Sequence, residues 1–114
     1  MLDLSFLRKI SKGDSKKMKR YISLYLEVTP GTFQEMEKNI AERDWEQLRI
    51  NAHSLKPQAD FMGLADLKEH LMGIEEAVQS SKIQAIDALF TAAQSRHLEA
   101  MDFLEKALSD LSAQ

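Results

Sequence analysis

The chain has 114 residues, of which 44% are hydrophobic and 29% charged, and its 15 basic and 18 acidic residues leave a formal net charge of -3. A length below about 150 residues predicts a single domain over residues 1–114. The apolar content excludes a disordered chain, and the absence of cysteine excludes disulfide, thiol and cysteine-zinc chemistry. The negative net charge disfavours a nucleic-acid partner, because such a partner presents a phosphate backbone.

Membrane and export signals are weak in this sequence. The longest stretch without Asp, Glu, Lys or Arg runs from Ala88 to Ser95, whereas a membrane-spanning helix needs about 20 mostly apolar residues. The N-terminus Met-Leu-Asp-Leu lacks the basic start and apolar run of a signal peptide. We therefore expect a cytoplasmic protein without membrane insertion.

Helix-capping patterns recur along the chain at short intervals. In four places a capping side chain is followed three residues later by a Glu or Gln that can reach back to it: Thr32 with Glu35, Asp44 with Gln47, Asp66 with Glu69, and Ser81 with Gln84. Asp3 and Asp14 are further caps. These signals predict six helices, at residues 3–12, 14–28, 31–42, 45–62, 66–79 and 82–112.

Apolar residues in the later helices fall on single stripes. From Trp45 to Met62 they recur at alternating steps of three and four residues, which keeps them on one helical face. Short connections between long amphipathic helices favour antiparallel neighbours. We therefore predict an all-α fold, an antiparallel up-and-down four-helix bundle made of the last four helices, with two additional N-terminal helices packed across it.

His53 is expected to face solvent, because at 100° per residue it lies roughly 130° from the centre of the apolar stripe of its helix. Its neighbours at steps of three and four residues are Arg49, Ile50, Lys56 and Pro57. An imidazole then lies between two cations and beside two apolar side chains. Spacing alone also fits an ordinary surface histidine.

The run from Ala52 to Leu64, AHSLKPQADFMGL, resembles the signature of histidine-containing phosphotransfer (HPt) domains. That family shows Ala-His-x-Leu-Lys and a glycine ten positions after the histidine. Upstream, Gly13-Asp14, the Thr29-Pro30 break and Asp44-Trp45 are also similar to the family. The resemblance covers nearly the whole chain and implies a helical bundle that shuttles a phosphoryl group between receiver-domain aspartates.

The resemblance also implies roles for individual residues. His53 would be the phosphoacceptor, since a neutral imidazole has a free nitrogen lone pair. Lys56 would offset the phosphoryl charge, with Arg49 assisting from the other side. Glu75 lies at the offset where chemotaxis kinases carry a residue bonded to the acceptor imidazole, and would hold the ring and select its tautomer; a surface ion pair is the alternative. Gly63 fits a left-handed cap that ends the helix.

Two residues depart from the family pattern, because Pro57 and Gln58 stand where a glycine and then a small residue are usual. A mid-helix proline costs about 3 kcal/mol or bends the helix. A bend there would alter the exposure of His53, and the loss of a small residue would crowd a docked partner. Ile50, Pro57 and Gln58 are the expected partner-binding residues, together with apolar residues of the first two helices.

Other chemistry-bearing features have structural interpretations. His97 lies within an apolar stripe and His70 at the edge of one, so both are expected to be structural. No Glu-x-x-His pair of the di-iron type occurs, and no glycine-rich nucleotide loop is present, so we expect no metal site and no self-phosphorylation from ATP. The locally basic stretch from Arg8 to Arg20 is interpreted as a solvated helix face.

The sequence therefore predicts a phosphorelay intermediate that carries a phosphoryl group on His53. Its partners would be receiver domains of response regulators or hybrid histidine kinases, and it would act as a monomeric phosphoryl carrier rather than an ATP-dependent kinase. We expect no cofactor in this chain and magnesium on the partner receiver. The alternative is a non-catalytic helical adaptor that binds a receiver or kinase without phosphotransfer, for which Pro57 is the best support.

Overall fold

A computed structural model describes residues 2–113, which contain five α-helices and one 3-10 turn. The helices are α1 (Ser5–Ile10), α2 (Ser15–Ala41), α3 (Trp45–Phe61), α4 (Ala65–Gln79) and α5 (Ile86–Ser112), and the 3-10 turn Ile83–Ala85 leads into α5. No strand occurs within residues 2–113, so the predicted all-α class is confirmed. None of the helices in that range is both long and apolar enough to span a membrane.

The four long helices pack around one core. Each packs against its neighbour in the chain, and α2 also packs against α5, which closes the ring. Tyr25, Leu48, Leu71 and Leu104, one from each long helix, are at most 2% exposed. The stripes that the sequence predicts for α3, α4 and α5 are the faces that supply this core.

The predicted break at Thr29 and Pro30 is wrong, because residues 15–41 form a single helix. Pro30 lacks the N–H that would bond the carbonyl four residues earlier, a loss that costs about 3 kcal/mol in a helix interior. However, the buried stripe of α2 continues on both sides of it, and Tyr25 and Phe33 enter the same core. Packing outweighs the local cost, so one short helix, not two, precedes the bundle.

Gly63 ends α3 in the left-handed conformation, with φ of +68°. Its amide and that of Leu64 donate to the carbonyls of Asp60 and Ala59, at 3.1 and 2.9 Å. This is the paired pattern of a glycine-terminated helix, which agrees with the predicted cap. A β-carbon at Gly63 would also lie 2.9 Å from Cβ of Phe6, so the glycine lets α1 dock against the end of α3.

We predict that Gly63→Ala lowers the free energy of unfolding by about 2 kcal/mol, because the left-handed φ alone costs about 1–2 kcal/mol and the contact with Phe6 adds to it. Gly31→Ala is the matched control. Gly31 lies inside α2 with nothing within 4 Å of an added β-carbon, so this change should raise stability by about 0.5–1 kcal/mol. Urea denaturation of the three proteins measures both effects, and shifts of the same sign would contradict this account of Gly63.

His97 of α5 is a core residue, 3% exposed. Its ring stacks on Phe33 with the ring centroids 4.2 Å apart, and its Nδ1 lies 3.2 Å from the hydroxyl of Tyr25. Burial lowers the pKa of His97 to about 4 and raises the pKa of Tyr25 above its usual range. At neutral pH the ring is therefore uncharged and shares a hydrogen bond with the protonated Tyr25 hydroxyl, which agrees with the predicted structural role.

His97 should make stability depend on pH. The unfolded chain takes up this proton near pH 6.5 and the folded chain near pH 4, so the stabilisation is complete above pH 6.5 and decreases as the pH falls. By pH 4 the loss should approach about 3 kcal/mol. His97→Gln keeps an acceptor for Tyr25 and removes the titration. Urea denaturation at several pH values should show the stability advantage of the wild type over His97→Gln shrinking below pH 6.5; a constant advantage would contradict the assignment.

Candidate functional site

His53 projects into solvent from the outer face of α3. Its side chain is 66% exposed, while Ala52 and Leu55 on the opposite face are at most 2% exposed. This agrees with the orientation that the helical spacing predicts. The ring is open to an approaching partner, and the same helix is anchored from behind by the core.

One carboxylate on α4 joins the two functional side chains of α3. Oε1 of Glu75 lies 2.7 Å from Nδ1 of His53, and Oε2 of the same group lies 2.8 Å from Nζ of Lys56. Glu75 is only 12% exposed, and Lys56 is 23% exposed. The structure therefore brings three of the sequence-predicted residues into one hydrogen-bonded group.

The electrostatics of this group favour an ionised carboxylate. Partial burial on its own raises the pKa of Glu75, but the hydrogen bonds from Lys56 and His53 outweigh burial and lower it below the usual value. An ionised carboxylate can only accept, so Nδ1 of His53 carries a proton and donates it. In the neutral ring the lone pair is then on Nε2, the nitrogen farther from Glu75.

Arg49, the second expected cation, is engaged elsewhere. It forms a close ion pair with Glu46 on the preceding turn, in which two guanidinium nitrogens donate to the two carboxylate oxygens. The hydrogen bond from Arg49 lowers the pKa of Glu46, and the same bond raises the pKa of Arg49. The sequence analysis missed Glu46, although a Glu three residues before an Arg on a helix signals such a pair.

The predicted partner-binding residues differ in their exposure to solvent. Ile50 is 44% exposed, one turn before His53, and Pro57 is exposed one turn after it. Gln58 is half-buried. Pro57 does not end the helix, since α3 continues through it to Phe61.

A mostly apolar groove, called the apolar groove below, is lined by Phe6 and Ile10 of α1 and by Pro57, Asp60 and Phe61 of α3. The carboxylate of Asp60 is paired with Lys68. Phe61 is 44% exposed and stacks on Tyr21 of α2, with ring centroids 5.5 Å apart. The sequence analysis missed Phe61. The available signal was its spacing of eight residues from His53, about two turns along the same face of α3.

The rest of the described chain adds no metal centre. In residues 2–113, no three His, Asp or Glu side chains lie close enough together to hold a metal ion. The two other histidines are not part of the hydrogen-bonded group of His53, Lys56 and Glu75. His97 bonds to Tyr25 in the core, and His70 is half-buried on α4.

A family model described as the Hpt domain matches residues 20–114. The chain belongs to the Hpt domain family. Hpt domains act in histidine phosphotransfer in two-component signalling and interact with receiver domains in phosphorelays. Comparison with curated proteins and with solved structures finds no match. The Hpt match includes His53, Lys56 and Glu75 and leaves α1 outside it.

We predict that Glu75→Ala slows phosphorylation of His53 by about 10- to 100-fold, because the ring loses the acceptor that keeps the proton on Nδ1. Nitrogen-15 chemical shifts of the ring above neutral pH should show the Nδ1-protonated tautomer in the wild type and a shift towards the Nε2-protonated form in the variant. Glu76→Ala, at the exposed neighbouring position, is the control. An unchanged tautomer in Glu75→Ala would contradict the positioning role.

Proposed function

We propose that this Hpt domain is a phosphorelay intermediate in which His53 receives a phosphoryl group from an aspartyl phosphate of one receiver domain and delivers it to an aspartate of another. One observation carries the proposal: the imidazole is 66% exposed while its Nδ1 is held by Glu75 at 2.7 Å. An ordinary surface histidine has no such buried acceptor. The family match over residues 20–114 supports the same class of reaction.

The transfer step uses the lone pair of Nε2. In the proposed step this nitrogen attacks the phosphorus of the aspartyl phosphate, a N–P bond forms, the bond between phosphorus and the carboxyl oxygen breaks, and the aspartate leaves as a carboxylate. The proton on Nδ1 stays in place. The ring then carries a positive charge, which the carboxylate of Glu75 stabilises from the opposite side. The reverse sequence returns the phosphoryl group to a second aspartate.

Lys56 is the cation that we assign to the phosphoryl oxygens. It lies one turn after His53, its side chain is 23% exposed, and its ammonium group can form charge-assisted hydrogen bonds with phosphoryl oxygens. Both cations are already paired, but the partner of Lys56 is Glu75, which also holds His53. Arg49 is the weaker candidate, because its partner Glu46 lies outside that hydrogen-bonded group. Gly63 supports the site only indirectly, by ending α3 and admitting α1.

The receiver is proposed to dock on the outer face of α3 around His53. Ile50 and Pro57 flank the imidazole and supply exposed apolar contact, as a transient interface requires. Gln58 contributes little contact area because it is half-buried. In this role the chain acts as a cytoplasmic monomer with its bundle helices in up-and-down order, needs no cofactor, and leaves magnesium to the receiver.

The second candidate function is a non-catalytic adaptor that binds a receiver or kinase without phosphotransfer. Pro57 favours it, because an exposed proline ring stands one turn from His53 where the family usually has a small residue. A docked receiver would meet that ring before its aspartate reaches Nε2. The two candidates differ in whether a covalent product forms.

Incubation with phosphorylated receiver domains, followed by intact-mass measurement, separates the two functions. The relay function predicts a gain of one phosphoryl group that is lost in acid, as expected for phosphohistidine, and that is absent in His53→Gln. His70→Gln is the control and should still gain the group. Receiver binding without any mass gain would support the adaptor and refute the relay function.

A further inference from the structure

The charge of this protein is unevenly distributed. Seven of the 13 residues at positions 8–20 are basic and only Asp14 is acidic, which gives this segment a formal charge of +6 while the remaining residues carry -9. We call the seven cations the basic tract: Arg8, Lys9, Lys12, Lys16, Lys17, Lys19 and Arg20. They belong to the end of α1, the connection after it and the first turns of α2.

The basic tract has no internal electrostatic partner in the part of the chain that the structure describes. Six of the seven side chains are exposed and Lys19 is half-buried. The ion pairs formed within residues 2–113 involve cations of α3, α4 and α5 only. The charge of the tract is therefore available to another molecule.

Arg8 and Lys9 lie in the last turn of α1, where a cation is favourable, but other cations of the tract oppose the stability of the fold. Lys16 and Lys17 lie in the first turn of α2, at the positive end of the helix dipole, where a cation is unfavourable. Lys12 has a positive φ of 55°, a conformation that residues with a β-carbon rarely adopt. Seven like charges in one segment also repel one another. Local conflicts of this kind are expected at functional positions.

The tract adjoins the apolar groove, whose lining residue Pro57 lies one turn from His53 on α3. Arg8 and Lys9 are the two exposed residues between Phe6 and Ile10, the side chains of α1 that line the groove with Pro57. On α2, Lys17 lies one turn before Tyr21, which stacks on Phe61 at the same groove. Apolar contact and positive charge are therefore continuous over one surface.

We propose that the basic tract is the electrostatic docking element for an acidic receiver domain that exchanges a phosphoryl group with His53, an inference that rests on the proposed function. The group to be transferred is an anion carried on an aspartate, and the remainder of this chain, at -9, repels it. Positive charge beside the groove offsets that repulsion and orients the encounter, which raises the association rate most at low ionic strength.

An anionic lipid surface and a nucleic acid are the competing partners for a basic segment. A lipid surface would also bury exposed apolar side chains of the groove, but neither partner has a use for His53, and the negative charge of the remaining residues opposes a long phosphate polymer. The continuity of tract, groove and His53 therefore favours an acidic protein.

The test compares two triple variants with the same net charge. Lys9→Gln, Lys16→Gln and Lys17→Gln remove three cations of the tract, whereas the control triple replaces Lys38, Lys82 and Lys106, all exposed and outside it, with Gln. The probe is a phosphorylated receiver domain from the intact-mass experiment. We expect the tract triple to lower kcat/KM for transfer about tenfold at low ionic strength, with kcat unchanged and a flatter salt dependence, and the control to stay within about twofold.

Anisotropy titration with the same receiver, labelled with a fluorophore, distinguishes the failure of this inference from that of the proposed function. One outcome is that the receiver binds in a salt-sensitive way and the tract triple weakens this binding, but no phosphoryl transfer occurs. That outcome would uphold the docking element and refute the relay function. Transfer that both triples slow equally would refute the docking element alone.

Phosphatidylserine vesicles and duplex DNA are the alternative probes. The proposal would be overturned if the tract triple lost binding to vesicles or DNA while its binding to the receiver was unaffected. It would also be overturned if no receiver bound the wild-type protein.

Discussion

The Glu75 carboxylate is the constraint on which the site depends. Its two oxygens bind groups one turn apart on the neighbouring helix, Nδ1 of His53 at 2.7 Å and Nζ of Lys56 at 2.8 Å. The contact with His53 fixes the tautomer of the ring, and the contact with Lys56 holds the lysine on the same face of α3. Together the two contacts set the register of α3 against α4 beside His53. A carboxylate that bonded only to His53 would fix the tautomer of the ring. It would neither hold Lys56 nor set the register of the two helices.

The bundle assigns opposite environments to two histidines of the same chain. His97 is enclosed by aromatic side chains, and burial lowers its pKa to about 4, so it stays neutral and contributes packing. His53 is exposed, and within residues 2–113 the one side chain that bonds to its ring is a carboxylate. The first position suits a structural residue and the second a nucleophile, because reactivity requires both access and a defined lone pair.

Local rules predicted those features that a few neighbouring residues determine. The exposure of His53 follows from helical spacing, and the left-handed cap at Gly63 follows from a glycine at the end of an apolar stripe. The break at Pro30 was wrong because the core contacts of a whole helix override one lost hydrogen bond. The contact of Phe6 with Gly63 joins residues that are distant in sequence, and no local pattern encodes it. The contact of Glu75 with His53 has the same origin, although the family offset anticipated it.

The packing of Phe6 against the turn at Gly63 has an evolutionary consequence. Part of the lining of the apolar groove comes from a six-residue helix that lies outside the family match, whereas His53, the proposed phosphoacceptor, lies inside it. Side chains on the outer face of that helix are free to vary without disturbing either the bundle core or the imidazole. With the receiver docked as we propose, partner preference and chemical competence diverge independently, so that a duplicated copy would acquire a new signalling connection while it keeps the same reaction.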